Sequence, residues 1–65
     1  MAITLKSARI NKNLTQVEAA KKLGISTETL SNYERGKSYP DVPIIKCIED
    51  LYGLPYSELI FISSG

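Results

Sequence analysis

The chain has 65 residues with one cysteine, no histidine and a formal net charge of +1. That length makes one domain, burying only about 60% of its unfolded surface. The lone cysteine rules out an internal disulfide, and with no histidine the composition argues against a zinc site. No apolar run approaches the ~20 residues needed to span a bilayer. The N-terminus lacks a basic-then-apolar signal pattern, and a lone thiol suits a reducing cytoplasm. Helix packing, with dimerisation in support, is then the expected source of stability.

Residues 4–11 read as a first helix. Thr4 caps it, and Leu5, Ala8 and Ile10 mark an inward side at helical spacing. Asn11, Lys12 and Asn13 make a break rich in turn formers. Leu14 sits just outside the next N-terminus, and Thr15 with Glu18 three residues on gives the capping-box pattern T-x-x-E. This second helix runs to about Lys22 and offers Val17, Ala19, Ala20 and Leu23 for packing. The paired alanines let another helix cross closely, because nothing bulky separates the backbones. Gly24 follows as a C-cap free to take positive φ, and Ile25 fills the corner. Ser26 caps a third helix over residues 26–33, with Leu30 and Tyr33 inward and Thr27, Glu28, Ser31 and Asn32 outward.

Arg35 and Gly36 end that helix, and residues 37–40 form a short loop. Asp41 caps a fourth helix, with Pro43 in its first turn, where a missing N–H costs nothing. Ile44 or Ile45, Ile48, Leu51 and Tyr52 fall at helical spacing, Cys47 reads as a small core residue, and Gly53 stops the helix. Pro55 and Ser57 offer starts for a fifth short helix with Leu59 inward. Ile60, Phe61 and Ile62 then carry more apolar surface than one inward face uses. Either they finish the core under the first helix, or they form an exposed patch at a two-fold interface. The pattern is thus all-α: five short helices and no strand.

Charge is uneven along the chain. Residues 1–40 carry seven basic and three acidic side chains, and residues 41–65 one basic and four acidic. A basic half containing the second and third helices suits a face meeting a polyanion; an ordinary solvated surface has the same appearance. Catalytic chemistry finds no foothold. The serines lack a base, no histidine activates Cys47, and no glycine-rich phosphate loop is present. The expectation is a non-enzyme with no cofactor, no metal and no small-molecule ligand.

The stretch 15–36 closes with Ser31-Asn32-Tyr33-Glu34-Arg35-Gly36-Lys37. With Gln16 opening its first helix, Ala20 at the crossing, Gly24 in the turn and Leu30 in the core, it resembles the helix-turn-helix of the lambdoid phage repressor and Cro proteins, the Xre-like family. The resemblance continues through Pro40, the fourth helix and residues 53–59. It implies a compact five-helix lambda-repressor-like domain over residues 1–65, with the helix-turn-helix at 15–34.

The resemblance also implies a function. Such proteins bind operator DNA, mostly as dimers on near-palindromic sites, with the second helix of the motif in the major groove. Carried onto this chain, the base readers are Thr27, Glu28 and Asn32, with Ser26 and Ser31 nearby. Asn pairs with adenine, Glu accepts from cytosine N4, and a Thr methyl touches the thymine methyl. Thr27 and Glu28 depart from the glutamines often found there, which bears on the target sequence. Thr15 and Gln16 become phosphate contacts at a helix start. Arg35, Lys37, Ser38 and Tyr39 hold the backbone on the other side; Tyr39 fits packing equally well. Arg9 is implied to pair with Glu34 and to lie near a phosphate. Ile60, Phe61 and Ile62 become the homodimer interface. Such proteins repress or activate transcription, and a repressor is the role expected here. Two other roles fit the same fold: an antitoxin-like protein-binding module, and the DNA-binding half of a longer regulator.

Overall fold

A computed structural model describes residues 2–61. Four α-helices follow one another: α1 (Leu5–Asn11), α2 (Gln16–Leu23), α3 (Thr27–Arg35) and α4 (Val42–Tyr52). Each begins on a side chain that takes a backbone N–H three residues on: Thr4, Thr15, Ser26 and Asp41. These caps satisfy donors that no helix can pair internally. At Thr15 the box is complete, because Glu18 Oε1 accepts the Thr15 N–H in return at 2.9 Å. That hydrogen bond, first among its causes, holds the Glu18 carboxyl below its ordinary range. Its contribution to stability is present above the ordinary carboxylate pKa and is lost as pH falls through the lowered one.

The helices pack around Leu5, Ala8, Ala19, Ala20, Leu23, Leu30, Ile48 and Tyr52, with Leu59 closing the cluster. Ala19 and Ala20 lie buried on α2, which packs against α3 and α4. Small side chains there let packed helices lie close, and α2 joins α3 across a three-residue turn. In that turn Gly24 takes φ +74°, a left-handed conformation costly for other residues. The Ile25 N–H then reaches back to the Ala20 carbonyl at 3.0 Å, which seals the end of α2.

The expected fifth helix does not form. After Gly53 the chain makes one 3₁₀ turn, Tyr56–Glu58, and then extends as β2 (Leu59–Ile60). β2 pairs in parallel with β1 (Ile3–Thr4), Ile3 opposite Leu59 and Thr4 opposite Ile60. A parallel partner nearly the whole chain away satisfies backbone groups that a one-turn helix would leave open. Leu59 still points inward, as expected of the helix it replaces.

Three side chains expected inward lie outside. At 3.6 residues per turn Ile10 falls nearly opposite the Leu5–Ala8 stripe; it is 53% exposed, and Arg9 takes the buried slot. Val17 stands roughly 110° from the centre of the Ala19–Ala20–Leu23 stripe and is 64% exposed. Cys47 is roughly a quarter turn off the Ile44–Ile48–Leu51–Tyr52 stripe. It is an exposed free thiol, lining an open cleft of about 360 Å³ with Lys22, Asp50 and Leu51.

Candidate nucleic-acid interface

The capped start of α3 sets out the polar side chains. Ser26 Oγ accepts the Thr29 N–H at 3.0 Å, which fixes the first turn. Glu28 then stands exposed and Thr27, Ser31 and Asn32 half-buried. Thr27 with Ser31, and Glu28 with Asn32, are four residues apart and so neighbours along one side of the helix. Arg35 Nη2 donates to Asn32 Oδ1 at 3.1 Å. That bond turns the Asn32 carboxamide so that its oxygen faces Arg35. Four of the five expected base readers, Thr27, Glu28, Ser31 and Asn32, thus share one side of α3, while Ser26 caps its start.

Two groups lie by the last turn of this helix. The first is the start of α2, joined to it by the Gln16–Glu34 hydrogen bond. Thr15 is held in its capping box, and the first N–H groups of any α-helix lack an intrahelical acceptor. The second is the loop after α3. Gly36 takes φ +77°, and the Lys37 N–H reaches the Asn32 carbonyl at 2.9 Å. Lys37 and Ser38 are exposed. Tyr39 belongs to an aromatic trio. Its ring centroid lies 4.9 Å from that of Phe61, Tyr56 lies 5.3 Å from Phe61, and the Tyr39 and Tyr56 hydroxyls share a hydrogen bond. Phe61 is therefore packed on its own chain, whereas Ile60 is 43% exposed. Ile62 lies outside the described residues.

Beneath α3 the implied ion pair is present. Arg9 Nε donates to Glu34 Oε2 at 2.8 Å and Nη2 to Oε1 at 3.3 Å, a side-on arrangement with both side chains buried. Arg9 Nη1 also donates to the Leu14 carbonyl at 2.8 Å, so each guanidinium nitrogen is engaged inward. Sequence reasoning missed the next link: Gln16 Nε2 donates to Glu34 Oε1 at 3.0 Å. Nothing in the local pattern signals a bond between residues 18 apart.

Tyr52 lies beside this pair. It is 2% exposed, and its hydroxyl has no hydrogen-bond partner among the described residues. Burial first, and then the Glu34 charge, push its pKa up to about 12. Tyr52→Phe is expected to raise Tm, because an unpaired buried hydroxyl costs about 1–3 kcal/mol. The raised pKa also has a sign. Its stabilising contribution is complete below the unfolded phenol pKa and is lost as pH rises toward 12. The variant should therefore keep more of its stability at alkaline pH. A lower Tm at neutral pH would refute this account of Tyr52.

Among the described residues no group of His, Cys, Asp and Glu is arranged to hold a metal ion, and no helix is long and apolar enough to cross a membrane.

A model of the helix-turn-helix family matches residues 5–59. The chain is 38% identical over 56 residues to the HTH-type transcriptional activator BcrR of Enterococcus faecalis, covering 86% of this chain and 28% of that protein. It is 41% identical over 56 residues to the HTH-type transcriptional regulator ImmR of Bacillus subtilis, covering 86% and 44%. It is 29% identical over 56 residues to the cryptic phage CTXphi transcriptional repressor RstR of Vibrio cholerae, covering 86% and 50%. The chain thus spans half or less of the length of these three relatives. No solved structure is a significant match. With the match running from the start of α1 to β2, across the turn at Gly24, the chain belongs to the helix-turn-helix family.

Proposed function

We propose that this chain is a sequence-specific double-stranded DNA-binding module of a transcriptional regulator, with α3 in the major groove. The observation that carries the reading is the side of α3 bearing Thr27, Glu28, Ser31 and Asn32, with the start of α2 tied to the last turn of that helix and the loop holding Lys37 and Ser38 leaving the same turn. Helices of this size fit the major groove, and short polar side chains at their N-terminal end reach base edges. The names of the relatives, an activator, a regulator and a repressor of transcription, agree with it. Those relatives are longer than the matched segment, so the proposal is confined to the DNA-reading module.

In this reading Ser26, Thr27, Glu28, Ser31 and Asn32 read bases. Thr15, Gln16, Arg35, Lys37, Ser38 and Tyr39 contact phosphates. Arg9 acts from beneath, through Glu34. Each good bidentate base contact discriminates by about 1–3 kcal/mol. Glu28 weakens binding to every site that offers it no base donor, since its charge repels phosphate. The sign proposed is repression, since a module seated on a promoter is enough to block polymerase.

The module is proposed to act as a homodimer on a near-palindromic operator. Exposed Ile60, next to the Tyr39–Tyr56–Phe61 trio, supplies an apolar patch for the two-fold contact. A monomeric mass in solution at micromolar concentration would count against the dimer.

Selection of a random duplex pool on the purified protein tests the whole reading. Enrichment of a palindrome with half-sites about one helical turn apart is the expected result. Bulk, salt-sensitive binding without enrichment would overturn sequence-specific recognition. On the selected duplex, Lys37→Ala should weaken binding to matched and mismatched sites alike, and reduce the salt slope by about one unit. An unchanged slope would remove Lys37 from the phosphate contacts.

A further inference from the structure

Glu34 does more than close an ion pair. Its Oε1 accepts from Arg9 Nη2 and also from Gln16 Nε2. Gln16 is the first residue of α2, and Glu34 lies in the last turn of α3. The bond therefore ties the entry of one helix of the motif to the exit of the other. A carboxamide nitrogen carries two N–H groups. With one bonded to Glu34, the direction of the second is set. A free glutamine would have to lose its rotamer freedom on binding; this one is already held.

Charge makes the arrangement workable. A bare carboxylate beside a phosphate would repel it. Arg9 covers both oxygens of Glu34 side-on, so the pair is close to neutral. Gln16 then stands between a neutralised carboxylate and solvent, half-buried, as an uncharged donor.

We propose that Glu34 is a positioning residue for phosphate recognition. It holds the Gln16 carboxamide at the start of α2, leaving one N–H for a DNA phosphate and locking the groove-facing helix and the backbone clamp in one register. This rests on the DNA-binding reading above. It assigns Arg9 an indirect part: with its nitrogens turned to Glu34 and Leu14, the guanidinium acts by neutralising Glu34.

The test is a double-mutant cycle in affinity for the selected duplex, with folding followed by circular dichroism. Gln16→Met keeps the length of the side chain, removes the amide and leaves the Arg9–Glu34 pair in place. It should weaken binding about three- to tenfold, the worth of one net hydrogen bond. Its salt slope should stay unchanged, since no charge is lost. Glu34→Gln, measured at a temperature where it is folded, should weaken binding in the wild-type background and have no further effect in the Gln16→Met background. Equal losses in both backgrounds would mean that Glu34 acts only on stability, which overturns the proposal. A Gln16→Met protein that binds like wild type overturns it as well, however Glu34→Gln folds. If the wild-type protein binds no duplex, the DNA-binding reading falls too. If it binds and the two substitutions are additive, only this inference falls.

Discussion

Glu34→Ala is expected to cost about 3–5 kcal/mol of folding free energy, the range for breaking a buried ion pair by removing one partner. The magnitude follows from what stays behind. Arg9 would remain buried with Nε and Nη2 stripped of their acceptor, and Gln16 would lose its partner as well. At usual values per residue a domain of this length has only about 3–10 kcal/mol in total. At about 4–8 °C per kcal/mol for small domains, Tm should fall by well over 10 °C. Replacing both partners with apolar residues of similar volume should be far milder, because no uncompensated charge is left. Urea or thermal melts of the single and double variants check this. An unchanged Tm in Glu34→Ala would mean that the pair does not hold the fold. Base preference should change only after stability does, since the Glu34 carboxylate is buried and already taken by Arg9 and Gln16.

Leu30→Ala is expected to cost about 2–5 kcal/mol, toward the upper end. Leu30 is fully buried at 0% exposure and is the main apolar anchor of α3. The cost of such a deletion depends on how far the neighbours collapse into the space. Here two of the buried residues in its cluster are Ala19 and Ala20, which have no side chain to extend into a void. The α3 backbone is also pinned, by Glu34 at one end and by the Gly24 turn at the other. Collapse is therefore restricted. Leu30→Met, which preserves volume, should cost under about 1.5 kcal/mol. Denaturant melts of both variants provide the check. A loss below about 1 kcal/mol in Leu30→Ala would mean that α3 is held mainly by polar contacts.

The two variants separate the forces that hold α3. The core contact sets how closely the helix lies on α2, and the buried carboxylate sets its direction. Lys37→Ala, by contrast, leaves both untouched and should change only the electrostatic part of binding.

The sequence by itself determined the helices and their ends. Thr4, Thr15, Ser26 and Asp41 each act on a donor three residues away. Gly24 and Gly36 act on their own φ. Such interactions are complete within one turn of chain, so residue type and spacing specify them without reference to the rest of the molecule. The polar side of α3 was legible for the same reason. The tertiary structure alone decided whatever depends on a distant partner. Residues 59–60 became a strand because β1 was there to pair with them, where the local pattern suggested a helix. Arg9 takes a buried place on α1 because Glu34 offers it a buried carboxylate, and apolar periodicity does not register a paired charge. Gln16 meets Glu34 only because α2 and α3 pack against each other. A contact between residues far apart in the chain exists only when packing closes the loop between them, and no pattern within a helical turn encodes that closure.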